Sequence, residues 1–106
     1  MPKDIKILCV CRKGNVRSVG TKYALNRRGY NNVIATGAYL VTRKTFDMLC
    51  KWADVILLAK PNYEERVTTK EKINKGFTIG PDLWGTPVNL QLEEIADKAL
   101  DNIGLI

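Results

Sequence analysis

The chain has 106 residues, enough for one compact domain over 1–106 and too few for two. Apolar residues make up 45% and charged residues 26%, a globular composition that excludes a disordered or fibrous chain. The formal charge is +6, with 16 basic and 6 acidic residues in 1–75 against 1 and 5 in 76–106, which suits either an anionic ligand or a solvated basic surface.

Ile5 to Val10 is nearly continuous apolar sequence with β-branched residues, the pattern of a strand buried on both faces of a parallel sheet. It runs into the polar segment Cys11-Arg12-Lys13-Gly14-Asn15. Ser18 stands at a helix N-cap position, and Val19 to Arg28 forms a helix closed by Gly29, with Val19, Tyr23 and Ala24 as its apolar stripe. Val33 to Thr36 is a second short strand. Phe46, Leu49, Cys50 and Ala53 recur at helical spacing and place an amphipathic helix over 42–53, with Cys50 and Trp52 assigned to the core. Asp54 to Ala59 is a third buried strand ended by Lys60-Pro61. Residues 62–75 are charged, and Tyr63 and Val67, one turn apart, suggest a surface helix. Phe77 to Ile79 is a fourth strand before Gly80-Pro81. Leu92, Ile95, Ala96, Ala99, Leu100 and Ile103 define a last helix that starts near Pro87 or Asn89 and ends at Gly104. Strands alternating with helices give an α/β fold: an open, mostly parallel four-stranded sheet with helices on both faces.

In such sheets ligands bind beyond the carboxyl ends of the strands, and the loop after the first strand is a favoured place. That loop runs here from Cys11 to Arg17-Ser18. A Cys-x5-Arg pair alone carries little weight, since three cysteines and six arginines produce one by chance roughly 0.17 times. Its setting raises it. Backbone N–H groups of a tight loop and a helix N-terminus favour an anion, either a phosphate or a thiolate, and would lower the pKa of Cys11 enough to make it a nucleophile at neutral pH. Arg17 can bind two phosphate oxygens with its planar fork, and Ser18 can donate to the thiolate when sulfur leaves in a second step. The parts fit phosphoryl transfer through a cysteinyl-phosphate.

With these residues in view, the sequence resembles the low-molecular-weight protein tyrosine phosphatase family. The resemblance rests on Val10-Cys11-Arg12-Lys13-Gly14-Asn15-Val16-Arg17-Ser18, on Trp52-Ala53-Asp54-Val55-Ile56, and on Asp82 in Gly80-Pro81-Asp82-Leu83-Trp84. It implies a phosphate-binding loop after the first strand, with Cys11 as nucleophile, Arg17 as phosphate clamp, Ser18 as thiolate partner and Asp82 as general acid. It further implies substrate contacts from Arg12, Lys13, Gly14, Asn15 and Val16, and no cofactor. Two positions depart from the family pattern: Gly14 and Asn15 stand third and fourth after the cysteine, where the asparagine is usually third, and Val16 replaces the second cysteine that many members carry. Cys9 and Cys11 should share one strand face, so close that a disulfide between them would be strained.

Each residue also has an ordinary reading. Cys11 fits a buried strand end, Asp82 a loop acid after Pro81, and Trp84 and Tyr39 half-buried loop aromatics as well as walls of an aromatic substrate pocket. Arg12, Lys13, Lys22, Arg27 and Arg28 either draw in acidic phosphorylated partners or are simply solvated. Three cysteines without histidine leave no usual zinc pattern, so no metal is expected and the thiols read as reduced, in the cytoplasm. No apolar run approaches the roughly 18 residues of a membrane span, and Met1-Pro2-Lys3-Asp4 leads into only about six apolar-rich residues, so neither membrane nor secretion is expected. The expected partners are a phosphorylated protein or small phosphomonoester, and inhibitory oxyanions such as phosphate or vanadate. Two alternatives stay open. An arsenate reductase needs further cysteines to shuttle a disulfide, whereas Cys50 falls within a helix. A non-catalytic phosphate or nucleic-acid-binding module suits the basic body, although no nucleic-acid motif is recognised.

Overall fold

A computed structural model describes residues 2–11, 17–39, 41–79 and 90–104. Three strands form one sheet: β1 (Ile7–Cys11), β2 (Val33–Gly37) and β3 (Val55–Leu58). Their order is β2-β1-β3, and both pairings are parallel, with Leu8 opposite Ile34 on one side and Ile56 on the other. As the central strand, β1 has all five residues buried, which is why its sequence is continuously apolar rather than alternating.

Three α-helices cover the sheet: α1 (Arg17–Arg27), α2 (Arg43–Trp52) and α3 (Leu90–Asn102). One core cluster joins Ile7 and Cys9 of β1 to Ala24 and Leu25 of α1 and to Leu92, Ala96 and Leu100 of α3. The other joins Leu8 and Val10 to Phe46 and Cys50 of α2, and to Tyr63 and Val67. The helices therefore lie on both faces of an open parallel α/β sheet. Because β2 and β3 flank β1 on opposite sides, the chain leaves β1 in one direction and returns to its other side later. The carboxyl end of β1 is thus a topological switch point, where crossovers diverge and where open α/β sheets favour ligand binding.

Helix ends follow local chemistry. Thr42 caps α2, its hydroxyl accepting from the Thr45 amide at 3.2 Å. At the end of α1 the Gly29 amide donates to Asn26 O at 3.0 Å, and the Tyr30 amide donates to Leu25 O at 3.0 Å. Gly29 has φ +93°, the left-handed conformation that this paired closure requires. Arg27 and Arg28, just ahead of it, meet the acidic side of α3: Arg28 reaches Asp97 at 3.2 Å and Asp101 at 2.9 Å, and Arg27 reaches Asp97 at 3.5 Å. Exposed pairs of this kind contribute about 0–1 kcal/mol each. They do, however, assign these two arginines to helix pairing, so neither belongs to a purely solvated patch. Part of the charge asymmetry along the sequence is neutralised within the fold.

Three expectations change. The core face of α1 is Gly20, Thr21, Ala24 and Leu25, while Tyr23 is 40% exposed; small residues let the helix approach the sheet, and counting only bulky side chains misreads its face. Residues 62–75 form two 3-10 helices, Pro61–Arg66 and Lys70–Lys72, because Pro61 starts a tight turn directly after β3 and Tyr63 and Val67 are buried. Phe77 to Ile79 is not a strand; it runs beside the end of β3 through one amide bond, Ile79 N–H to Ala59 O at 3.0 Å, and Ile73 forms an isolated parallel bridge with Ile56. Cys9 packs in the cluster of Ile7, and Cys11, which is still paired within β1, packs in that of Leu8 and Val10.

Candidate active site at the carboxyl end of the central strand

Cys11 is the last residue of β1 and is 4% exposed. The segments after β2 and β3 fix the backbone here: the Cys11 carbonyl accepts from the Ala38 amide at 2.8 Å, and the Val10 carbonyl accepts from the Ala59 amide at 2.8 Å. The Cys11 thiol donates to Ser18 Oγ at 3.2 Å. Since α1 already starts at Arg17, Ser18 lies inside the first turn rather than capping it, and its hydroxyl is turned to the sulfur. Were Cys11 a thiolate, the same contact would run in reverse, with the hydroxyl donating to sulfur.

Arg17 is 1% exposed, and Nη2 donates to the Tyr63 hydroxyl at 2.7 Å. Its Cζ lies 5.8 Å from the centre of the Tyr63 ring. Burying a guanidinium without partners is costly, so an arginine this enclosed must be held by polar groups. The Arg17 side chain links α1, which packs on one face of the sheet, to Tyr63, which packs on the other. It does so next to Ser18, whose hydroxyl meets the Cys11 thiol.

Tyr39 stands just past β2, 39% exposed, with its ring edge-on to Tyr63 at 6.0 Å and 68°. Its hydroxyl donates to Glu65 at 2.5 Å, and Arg66 lies over its ring at 5.2 Å. The bond to Glu65 pushes the Tyr39 phenol above its usual range. Tyr39 is therefore brought to the same edge as Arg17, through Tyr63.

The other two cysteines are of a different kind. Burial first, and then the neighbouring Cys11, push the Cys9 thiol far above its ordinary value, and burial raises Cys50. Both are held as neutral thiols at physiological pH, and no thiol is in a disulfide.

Of the residues singled out in the sequence, Cys11, Arg17, Ser18 and Tyr39 come to one end of the sheet. Arg12, Lys13, Gly14, Asn15, Val16, Asp82 and Trp84 lie outside the described residues. Tyr63 is the residue the sequence reading missed as part of this end. Its spacing from Val67 reads as a surface helix, whereas its place directly after β3, a strand adjacent to β1, is the signal that points to this end of the sheet. Among the described residues no group of three or more Cys, Asp or Glu side chains is placed to hold a metal ion, and no helix is long and apolar enough to cross a membrane. Comparison with protein-family models, with curated proteins and with solved structures gives no match.

Proposed function

We propose that the chain is a cysteine-dependent phosphatase that hydrolyses phosphotyrosine-like monoesters through a cysteinyl-phosphate intermediate, in the manner of the low-molecular-weight tyrosine phosphatases it resembles. The observation that carries this reading is the 3.2 Å contact between Cys11 Sγ and Ser18 Oγ, beside a buried Arg17, at the switch point of the sheet. A buried strand-end cysteine needs neither neighbour for packing. A nucleophilic sulfur uses both.

In the first step the Cys11 thiolate attacks phosphorus, an S–P bond forms, and the aryl oxygen leaves with its electron pair and takes a proton from Asp82. Arg17 holds the equatorial oxygens, whose charge distribution changes in the transition state. In the second step Asp82, now a carboxylate, removes a proton from water as its oxygen attacks phosphorus. The S–P bond breaks, and the Ser18 hydroxyl stabilises the departing thiolate. Phosphate is released and Asp82 is protonated again. The segment between Cys11 and Arg17 supplies the phosphate-cradling loop in this reading, and Tyr39 and Trp84 wall the aryl group. The reaction needs no cofactor, and a cytoplasmic setting keeps the nucleophile reduced.

The test is hydrolysis of p-nitrophenyl phosphate by the purified chain, run beside arsenate reduction with a thiol donor and beside phosphate binding by calorimetry. Hydrolysis supports the proposal. Arsenate reduction alone points to the reductase, and binding without turnover points to a phosphate-holding module.

The role of Asp82 has its own readout. Asp82→Asn should slow hydrolysis of phenyl phosphate by roughly 10²–10⁴, the usual range for a general acid. A nitrophenolate leaves readily without a proton, so p-nitrophenyl phosphate should suffer less. Across a series of aryl phosphates the variant's rate should depend more steeply on leaving-group pKa than the wild type's; equal slopes assign the acid elsewhere. Asp54 is then no candidate, because it accepts from the Lys6 amide at 3.1 Å. That puts it at the opposite end of β1, on the order of 16 Å away at ordinary strand rise. Asp47 is the next residue to test.

A further inference from the structure

We propose that Tyr63 is a positioning residue for Arg17: its hydroxyl sets the plane of the guanidinium that receives an oxyanion at the carboxyl end of β1. The inference rests on the reading of that end as an oxyanion site, and it extends that reading to a residue outside the Cys-x5-Arg segment.

A guanidinium grips two oxygens of a phosphate only when its plane is aligned with them, and an arginine side chain has several rotatable bonds to lose before it is aligned. Tyr63 removes that freedom in advance. Its hydroxyl accepts from Arg17 Nη2 at 2.7 Å, at a buried position where water does not compete. A neutral acceptor suits this task better than a carboxylate, since it fixes the arginine without neutralising the charge that the anion needs.

Tyr63 is itself held in place by burial and by its neighbours. It is 3% exposed, in the Pro61–Arg66 turn that follows β3. Its ring meets Tyr39 edge-on at 6.0 Å. Arg66 Nε donates to Ala38 O at 3.0 Å, and Tyr39 donates to Glu65, so the turn after β3 is stitched to the segment after β2. The hydroxyl that meets Arg17 thus belongs to a turn after β3 that is tied to the segment after β2.

Tyr63→Phe keeps the ring and its packing and deletes only the hydroxyl. Vanadate Kd, measured by calorimetry, should rise about tenfold, the scale of a hydrogen bond to a charged group. kcat/KM for p-nitrophenyl phosphate should fall by a similar factor. In an Arg17→Lys background the same substitution should change vanadate Kd by less than about twofold, because the fork it orients is gone. A variant that melts at lower temperature but binds vanadate as wild type does makes Tyr63 merely structural and overturns the proposal. So does a tenfold loss that persists in the Arg17→Lys background. A second measurement needs no variant: in nitrogen-15 NMR of the wild-type protein, the Arg17 Nη groups should show hindered rotation, and free rotation contradicts the assignment. If the wild type binds vanadate with this coupling but hydrolyses no ester, the phosphatase reading fails and the Tyr63 role stands. If it binds neither phosphate nor vanadate, both fail.

Discussion

Cys11→Ser should reduce hydrolysis of p-nitrophenyl phosphate below detection while leaving phosphate and vanadate binding largely intact. A serine hydroxyl at neutral pH is not ionised and attacks phosphorus far more slowly than a thiolate, and an alkoxide is a far poorer leaving group in the second step. Binding depends on other groups, chiefly Arg17. The substitution is nearly isosteric, and the new hydroxyl inherits Ser18 Oγ, 3.2 Å from the sulfur, as a hydrogen-bond partner, so the buried site is not left with an orphaned polar atom. Thermal melting reads this directly. Added oxyanion should raise Tm in both proteins, with about 2.7 kcal/mol of stabilisation at a ligand concentration one hundred times Kd. Wild-type turnover in the serine variant would remove Cys11 from the role of nucleophile.

Arg17→Lys should lower kcat/KM by roughly two orders of magnitude or more, with losses in both kcat and KM. An ammonium is a point charge without the planar pair of donors that matches an equatorial phosphate edge. The structure adds a second reason. Arg17 spans from the first turn of α1 to the Tyr63 hydroxyl, a single group having to serve both Tyr63 and the anion. A lysine amine cannot hold both with the same geometry, and at 1% exposure it has no solvent to restore its hydration. A lysine enzyme within a few-fold of wild type would show that Arg17 does not clamp the phosphoryl group.

The sheet was legible in the sequence wherever burial is two-sided. Ile7 to Cys11 and Val55 to Leu58 are apolar because the strands lie under helices on both faces, and α2 is legible because Phe46 and Cys50 fall on one stripe behind the Thr42 cap. Gly29 was legible as a helix stop because only a left-handed residue closes α1 there. The face of α1 was not, since Gly20 and Thr21 pack by being small and a hydropathy stripe weighs them lightly. At the candidate site, Cys11, Arg17 and Ser18 could be grouped by spacing because they lie within eight positions of sequence. Tyr63 could not, because its contact with Arg17 spans 46 positions and exists only once β3 has paired with β1.

The central claim is that Cys11 carries the phosphoryl group during turnover. Acid-quenching the protein during steady-state hydrolysis of p-nitrophenyl phosphate, followed by mass spectrometry of its peptides, tests this most directly. The expected result is a phosphoryl group on the Cys11 peptide, retained there in a Cys9→Ala variant, absent from the Cys50 peptide, and absent altogether in Cys11→Ser. Turnover with no phosphorylated peptide, or with phosphate on any other residue, would contradict the account.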